Sequence, residues 1–512
     1  MKKLLQFLCG RVFITGVLLL IQLAWFVFFL MRLTRYSVAL SAIFSVLSIL
    51  MVLYLIGSDD NPAYKIGWII FIMTLPLMGG LLYLMLGNKR PSRPLQKRLI
   101  PAEKALEPTL CQDPETMDDI GKDDPRTQGL SRYLQGVGGW PVYRDCDVRY
   151  YAVGEDMYAD MLAALESAQH FIFLEYFIIQ PGKMWNSILE ILTRKAAEGV
   201  DVRLLFDDMG SLFLLPQNFP REMERRGIRC VPFNPFVPIL SLMMNNRDHR
   251  KILVVDGHTA FNGGINLSDE YINQTHPHGH WKDTGVRVQG PGVWSFTAMF
   301  LGMWHAFHKQ DAAEDVSRFF PRTYHPEPFA GQGFVQPFGD SPLDGEPLSE
   351  NVYIDILAQA KRYVYIFTPY LIIDDIIKNA LCTAAKRGVD VRIVTPGVPD
   401  KKIVYRLTRS HYMPLLKAGV RIFEYTPGFI HAKSYVSDDE IAVIGTINMD
   451  YRSLYLHFEC GTYLYRCPAV KDLKADALDT IAKSREVVLG RIHHTAIGAL
   501  LDALLRLVAP LF

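Results

Sequence analysis

The sequence predicts an α/β fold of two pseudo-symmetric lobes sharing one active site, preceded by N-terminal transmembrane helices. Three observations lead there. A His-x-Lys, four residues, then Asp pattern occurs twice, in "RDHRKILVVD" (247–256) and "FIHAKSYVSD" (429–438), each followed by a Gly-x-x-Asn echo. Strand–helix–strand signals accompany both copies in the same order, and the first part of the chain carries three long apolar runs.

The apolar runs cover 12–31, 37–57 and 66–86. Each is close to the ~20 residues that cross a bilayer, and a cleaved signal peptide would have a shorter apolar centre. Residues 1–90 are therefore expected to form the membrane region. Lys89, Arg90, Arg93, Lys97 and Arg98 follow the third run, a basic cluster of the kind kept on the cytoplasmic side. Asp59 and Asp60, with only Lys65, suit the outer side. The expectation is a multi-pass protein of the cell membrane with its catalytic lobes in the cytoplasm. A first run that also spans would leave Lys2, Lys3 and Arg11 outside, against the same rule.

Residues 91–140, rich in proline and mixed charge, read as a juxtamembrane linker. The first lobe is expected over 141–310, a Pro/Gly-rich interlobe linker over 311–350, and the second lobe with a C-terminal helix over 351–512. "AAEGVDVRLLFDD" (196–208) and "AAKRGVDVRIVTP" (384–396) each read as a helix end, a glycine stop and a buried strand. Upstream, "FIFLEYFII" (171–179) and "VYIFTPYLII" (364–373) are runs of β-formers. Strand–helix–strand alternation repeated twice predicts sheets covered by helices.

A formal net charge of +1 over 512 residues gives no reason to expect a nucleic-acid partner. Seven scattered cysteines, without a C-x-x-C, suggest free thiols rather than a metal knuckle or disulfide framework. "HPHGH" (276–280) reads as a solvated loop, since proline and glycine separate its histidines and no partners lie at ligand spacing. "NPFVPILSLMMNNRDHR" (234–250) reads equally as a lipid-entry lip or a buried loop. Residues 485–508 carry a helical apolar face expected to dock on its own domain, with membrane contact left open. His170, His411 and His457 lie in packed contexts and read as structural.

The first motif comprises His249, Lys251 and Asp256, then Gly263, Gly264, Ile265 and Asn266; the second comprises His431, Lys433 and Asp438, then Gly445, Thr446, Ile447 and Asn448. Side chains two apart on a strand share a face, so each His and Lys should project together. Each Asp falls at a hairpin end, where its carboxylate fixes the turn. A lone His-x-Lys carries little information, whereas two complete copies carry much.

With "GWIIFIMTLPLMGGLLYLMLGNKR" (67–90), "NNRDHRK" (245–251), "WKDTGVRVQGP" (281–291) and "GTINMDYRSLYLHFE" (445–459), the chain resembles the bacterial cardiolipin synthase branch of the phospholipase D superfamily over nearly its whole length. That resemblance implies phospholipase D-type α/β/α lobes. It implies that one imidazole attacks a phosphodiester to give a phosphohistidine while the other protonates the departing alcohol. An unperturbed pKa near ~6.5 permits one neutral and one protonated ring. The implied substrate is phosphatidylglycerol, the products cardiolipin and glycerol, with no metal and no cofactor. Lys251 and Lys433 would neutralise phosphate charge, and Asn266 and Asn448 would add hydrogen bonds. Each His needs an orienting carboxylate; Glu459 is the candidate for His431 and Asp283 for His249. Resemblance to better-known relatives inclines the nucleophile to His249, which a pseudo-symmetric pair does not itself reveal. The rival readings are a phospholipase D hydrolase or a transphosphatidylase using another alcohol and, from another class, a silent membrane scaffold.

Overall fold

Each lobe is built on a run of β-formers buried on both faces, which the flanking sequence covers with helices. The computed structural model describes residues 38–87, 91–235, 245–491, 496–507 and 509, with isolated positions between 20 and 31. Most of the first apolar run thus lies outside the described residues, as do residues 236–244 of the suggested lip.

The second apolar run forms the helix Val38–Gly57. The third, expected as one span over 66–86, is instead two helices, Pro62–Thr74 and Pro76–Leu86. Pro76 disfavours helical geometry at the residue before it, and Leu75 sits at φ −131°, ψ 73°. The chain folds back there. The Trp68 and Tyr83 rings meet edge-on at 5.3 Å, and the Tyr64 hydroxyl donates to the Gly87 carbonyl at 2.6 Å. In one straight helix the latter pair would lie roughly 35 Å apart. Among the described residues no helix is long and apolar enough to cross a membrane.

Residues 91–140 are not a linker but three helices, Arg93–Leu106, Pro114–Asp123 and Pro125–Gly136. Two begin at Asp-Pro: Asp113 and Asp124 accept hydrogen bonds from N–H groups of the first turn, and the proline follows where no donor is needed. Leu95, Leu99 and Leu106 enter the main core. Their amphipathic spacing was masked by mixed charge and proline.

The first sheet contains β1 (Asp147–Tyr151), β2 (Phe171–Tyr176), β3 (Asp201–Asp207), β4 (Arg229–Phe233), β5 (Lys251–Val255), β6 (Thr259–Gly263) and β8 (Gly285–Gln289), in the order β1-β8-β6-β5-β2-β3-β4. The second contains β9 (Phe334–Asp340), β10 (Tyr363–Phe367), β11 (Asp390–Pro396), β12 (Arg421–Tyr425), β14 (Ser434–Ser437), β15 (Ile441–Gly445), β16 (Glu459–Tyr465) and β17 (Ser484–Glu486). Its order, β9-β16-β15-β14-β10-β11-β12-β17, repeats the first with one added edge strand. Because β9 belongs to this sheet, the expected interlobe linker over 311–350 is too long. The parallel neighbours β2–β3 and β10–β11 are joined by the helices Lys183–Ala197 and Asp375–Lys386. A third, two-stranded sheet joins β7 (His280–Lys282) to β13 (Gly428–Ile430), one strand from each lobe.

One hydrophobic cluster runs through both lobes, from Phe173 and Val254 to Phe367 and Val436, beside a further cluster mainly within each lobe. Between the sheets lies Val293–Phe307, buried from Val293 to Ala306 and apolar on every side, as a fully enclosed helix must be.

The two motif aspartates close the β5–β6 and β14–β15 hairpins in left-handed conformation, Asp256 at φ 48° and Asp438 at φ 55°. Their carboxylates do more than fix their own turns. Asp256 accepts from the N–H groups of Gln169, His170 and Phe171, each at 2.8 Å, and Asp438 from those of Lys361, Arg362 and Tyr363 at 2.7, 2.8 and 3.0 Å. Each Asp thereby ties its hairpin to the start of the neighbouring strand, β2 or β10. Asp256 is buried and Asp438 half-buried. Leaving buried donors unpaired is costly, so Asp256→Ala should lose about 3 kcal/mol of stability and Asp438→Ala about 1 kcal/mol. Unfolding in detergent measures both; equal tolerance of the two changes would contradict the clamp.

Candidate active site

The site lies at the seam between the lobes, and backbone hydrogen bonds build it. The His249 N–H donates to the Phe458 carbonyl at 2.9 Å, and the Phe458 N–H donates to Arg247 at 2.9 Å. Correspondingly β13 runs beside β7, and the His431 N–H donates to the Lys282 carbonyl at 2.7 Å. Each histidine is therefore held by the residue immediately before the other lobe's acid.

The consequence is a crossed pairing. His249 Nδ1 lies 2.9 and 3.0 Å from the two Glu459 oxygens, and His431 Nδ1 lies 2.6 Å from Asp283 Oδ2. The sequence-based expectation assigned Glu459 to His431 and Asp283 to His249; the structure exchanges the partners. Glu459 opens β16 and Asp283 sits just before β8, each in the same sheet as its own lobe's motif, but both side chains reach across the seam. Proximity in sequence could not reveal that direction.

The two acids are seated differently. The Thr446 hydroxyl donates to Glu459. At the matching position the first lobe has Gly264, where an added Cβ would come 2.1 Å from Asp283 Oδ1, so the shorter carboxylate fits only because glycine leaves the space. The Thr284 N–H donates to that same oxygen at 2.8 Å.

Both imidazoles line one cavity of about 910 Å³, with Asn266, Asn448, Arg247, Arg452, Trp281 and Tyr370 on its walls and Lys401, Lys402 and Ile403 also lining it. Aromatic neighbours fix the rings. His249 lies against Phe177 at 4.9 Å, and His431 against Tyr271 and Trp281 at 5.4 and 5.6 Å between centroids.

Lys251 and Lys433 are brought to the site but one layer deeper, fully covered behind the rings. Lys251 Nζ donates to the His249 carbonyl at 2.5 Å; Lys433 Nζ donates to the His431 carbonyl and lies 2.7 Å from His431 Nδ1. Asn266 spends its oxygen on the Ile178 N–H and one amide hydrogen on the Tyr271 hydroxyl. Asn448 Oδ1 has no hydrogen-bond partner among the described residues. Asp256 and Asp438 stand at the far ends of β5 and β14, away from the cavity.

Three features escaped the sequence reading. Arg452 donates from Nε to His457 Nε2 at 3.2 Å, which places the remaining proton of that ring on Nδ1, 3.8 Å from Glu459 Oε1. His457, read as structural, thus lines the cavity beside His249; its spacing of two from Glu459 was the available signal. The third feature is the lysine pair at 401–402. His249, His457 and Glu459 offer three ligand atoms within 4.8 Å of one another, the one such grouping among the described residues that could hold a metal ion. The three histidines of 276–280 form none: His276 is exposed, and His280 Nδ1 lies 3.1 Å from the Tyr425 hydroxyl.

Burial controls the protonation of the whole cluster. Together with Lys251 it holds His249 well below the usual imidazole range. Burial and Lys433 bring His431 to about 4, against the pull of Asp283. Desolvation also lowers Lys251 to about 8 and Lys433 to about 7, and raises Glu459 to about 8. Asp283 resists its own burial because His431 and Lys433 outweigh it, and its carboxyl stays below the ordinary value. An anion entering the cavity would favour the charged form of every base.

The crossed pairing has a direct spectroscopic test. Asp283→Asn should move the imidazole nitrogen resonances of His431 and leave those of His249 nearly in place, with Glu459→Gln doing the converse. Same-lobe responses would contradict it.

Residues 161–281 and 353–478 match the family described as cardiolipin synthase, PLD-like domain, and residues 46–88 match the phospholipase D-nuclease N-terminal family. An uncharacterized protein of Streptococcus mutans is 44% identical over 461 residues, 90% of this chain and 99% of its own. A cardiolipin synthase of Alkalihalophilus pseudofirmus is 34% identical over 475 residues, covering 92% of this chain and 93% of that one. The crystal structure of phosphatidylserine synthase from Haemophilus influenzae Rd KW20 has a TM-score of 0.55 at 14% identity, over 75% of this chain and 97% of that one, which shows a common fold. With two motif-bearing lobes closing on one cavity and relatives of this likeness along nearly its full length, the chain belongs to the cardiolipin synthase family of PLD-like proteins.

Proposed function

We propose that the protein is a cardiolipin synthase, transferring a phosphatidyl group from one phosphatidylglycerol to a hydroxyl of another and releasing glycerol. One observation carries the reading: two imidazoles, each held by a carboxylate of the opposite lobe, line the same cavity. His249 Nε2 would attack the phosphorus while His431 protonates the glycerol oxygen as its bond to phosphorus breaks. The phosphatidyl group would then reside on His249, and His431 would take the proton from the incoming hydroxyl as that oxygen displaces the imidazole. The acids favour this division of roles. An ionised Asp283 would stabilise the imidazolium at His431 once a phosphodiester anion offsets the burial that otherwise keeps that ring neutral. Glu459, raised toward neutrality by burial, would leave His249 the neutral ring.

Lys251 and Lys433 would place positive charge beneath the phosphate, joined by Asn266. The unpaired Asn448 oxygen suits a donor, and a glycerol hydroxyl is one where a phosphate oxygen is not. Imidazole supplies nucleophile, acid and base, so the reaction needs neither metal nor cofactor. The exchange of one phosphodiester for another is nearly balanced, which makes exclusion of water decisive for synthesis over hydrolysis. Phe177, Trp281 and Tyr370 give the cavity aromatic walls to that end. The apolar runs at 12–31 and 37–57, with the basic cluster at 89–98, support placement in the cell membrane, multi-pass, with the lobes in the cytoplasm; the third run, folded back at Pro76, adds no span.

Purified protein given phosphatidylglycerol alone should yield cardiolipin and glycerol by mass analysis, undiminished by EDTA, and His249→Ala or His431→Ala should abolish turnover. Phosphatidic acid as the main product would overturn the synthase reading, and a quenched phosphoryl label on the peptide containing His431 would reverse the two roles. The catalytic efficiency should also fall with rising pH. Each lysine is charged below its own value and neutral above it, so anion binding weakens as pH climbs through about 7 for Lys433 and then about 8 for Lys251. Lys433→Arg keeps its charge and should move that limb upward; an unmoved limb would rule Lys433 out as its source.

A further inference from the structure

We infer that the C-terminal helix Ala496–Leu507 lies flat in the membrane interface and holds the cavity mouth at the level of the lipid headgroups. The helix has two distinct sides. Ile497, Leu500, Leu501 and Leu504, spaced i, i+3, i+4 and i+7, are 73%, 62%, 44% and 52% exposed. They form one apolar stripe. The other side is fastened to the second lobe: Arg406 Nε donates to Asp502 at 2.7 Å, Arg406 also donates to the Gly498 carbonyl at 3.1 Å, and Arg506 Nε donates to the Ser410 hydroxyl at 3.1 Å. Beyond the helix, Ala509 is buried with Ile372, Leu407 and Tyr451. The stripe is thus turned outward by construction.

Its neighbours say what covers it. The helix rests on Lys402–Ser410, whose first residues and the preceding Lys401 line the cavity. It also meets Pro62–Thr74 closely enough that a Cβ on Gly67 would come 2.8 Å from the Leu507 carbonyl. That helix exposes Ile66, Ile70 and Met73, and its cap residue Asn61 donates to Asp374 at 2.7 Å and to the Tyr455 hydroxyl at 3.1 Å, fixing it to the same lobe. Exposed apolar side chains therefore continue from the C-terminal helix to the N-terminal hairpin, with exposed Ile403 at the cavity. Lys401 and Lys402 border this surface and are exposed, while Arg406 and Arg409 on the same helix are paired with Asp502 and Glu424. An apolar stripe edged with cations fits a leaflet of anionic lipid. Twelve residues rise only ~18 Å, too short to cross, so the helix lies in the plane.

This rests on the lipid-substrate reading above and deepens it: donor and acceptor lipids would slide from leaflet to cavity past Ile403 without leaving the interface. The test uses the full chain, with Cys9, Cys111 and Cys382 replaced by serine and an environment-sensitive fluorophore on Leu500→Cys. In vesicles of phosphatidylglycerol and phosphatidylcholine, the label should shift to the blue and be quenched more by doxyl groups near the headgroup than by deep ones. The same label on Glu166→Cys should show neither effect. A second arm compares the double variant Leu500→Asp, Leu504→Asp with wild type. Its KM for vesicle phosphatidylglycerol should rise about tenfold, while its rate on dispersed short-chain phosphatidylglycerol is unchanged. A label at 500 that behaves like the one at 166, or that reports contact between two copies without lipid quenching, overturns the proposal. Failure of wild type to make cardiolipin from either substrate would instead sink the synthase reading, with the depth measurement still deciding the helix.

Discussion

The seam hydrogen bonds from His249 to Phe458 and from His431 to Lys282 are the constraint on which the site depends. They set each imidazole against the strand that carries the opposite lobe's acid, so neither lobe alone contains an oriented histidine. This explains why the lobes share a continuous hydrophobic cluster rather than meeting as separate domains. Movement between them of even an ångström or two would break both the backbone bonds and the carboxylate contacts. The enclosed helix Val293–Phe307 and the strand pair β7–β13 oppose such movement.

Burying two lysines, two acids and two histidines together is unfavourable by several kcal/mol for each unpaired charge. The structure accommodates the cluster by letting protonation states shift: the lysines and histidines fall, and Glu459 rises. On the proposed function a phosphodiester would be the missing negative partner in that balance, and relief of the cluster's unfavourable charge would become affinity for it. The pseudo-symmetry is broken at one pair of matching positions. Gly264 makes room for an ionised aspartate, while Thr446 supports a glutamate of altered basicity. Two rings with the same motif thereby face acids of opposite tendency, Asp283 held below the ordinary carboxyl value and Glu459 raised to about 8.

Much of the site was legible because its signals are local and duplicated. The duplicated spacing singles out His249, Lys251, His431 and Lys433, with the asparagines that follow, and the structure gathers these residues at one seam. Asp283 and Glu459 were also visible as acids, but their assignment was inverted, since a side chain's direction across a seam leaves no trace in its own segment. Asp256 and Asp438 belong to the motif yet serve as clamps on the neighbouring strands. His457 and Arg452 were hidden for a different reason: each looks like ordinary packing until a second lobe is placed against it. In the N-terminal part, continuous hydropathy concealed the bend at Pro76, and in 91–140 mixed charge concealed three helices whose apolar faces are buried.

The two-lobed α/β plan, the duplicated imidazole–lysine motif and the apolar character of the N-terminal region are written in contiguous residues, because hydrophobic period and motif spacing are local properties. Which acid meets which ring, how deep the lysines lie, and which face of the C-terminal helix is left uncovered emerge only when the chain is folded. Those are relations between segments far apart in the chain, fixed by packing and by hydrogen bonds across the seam, and no single segment encodes them.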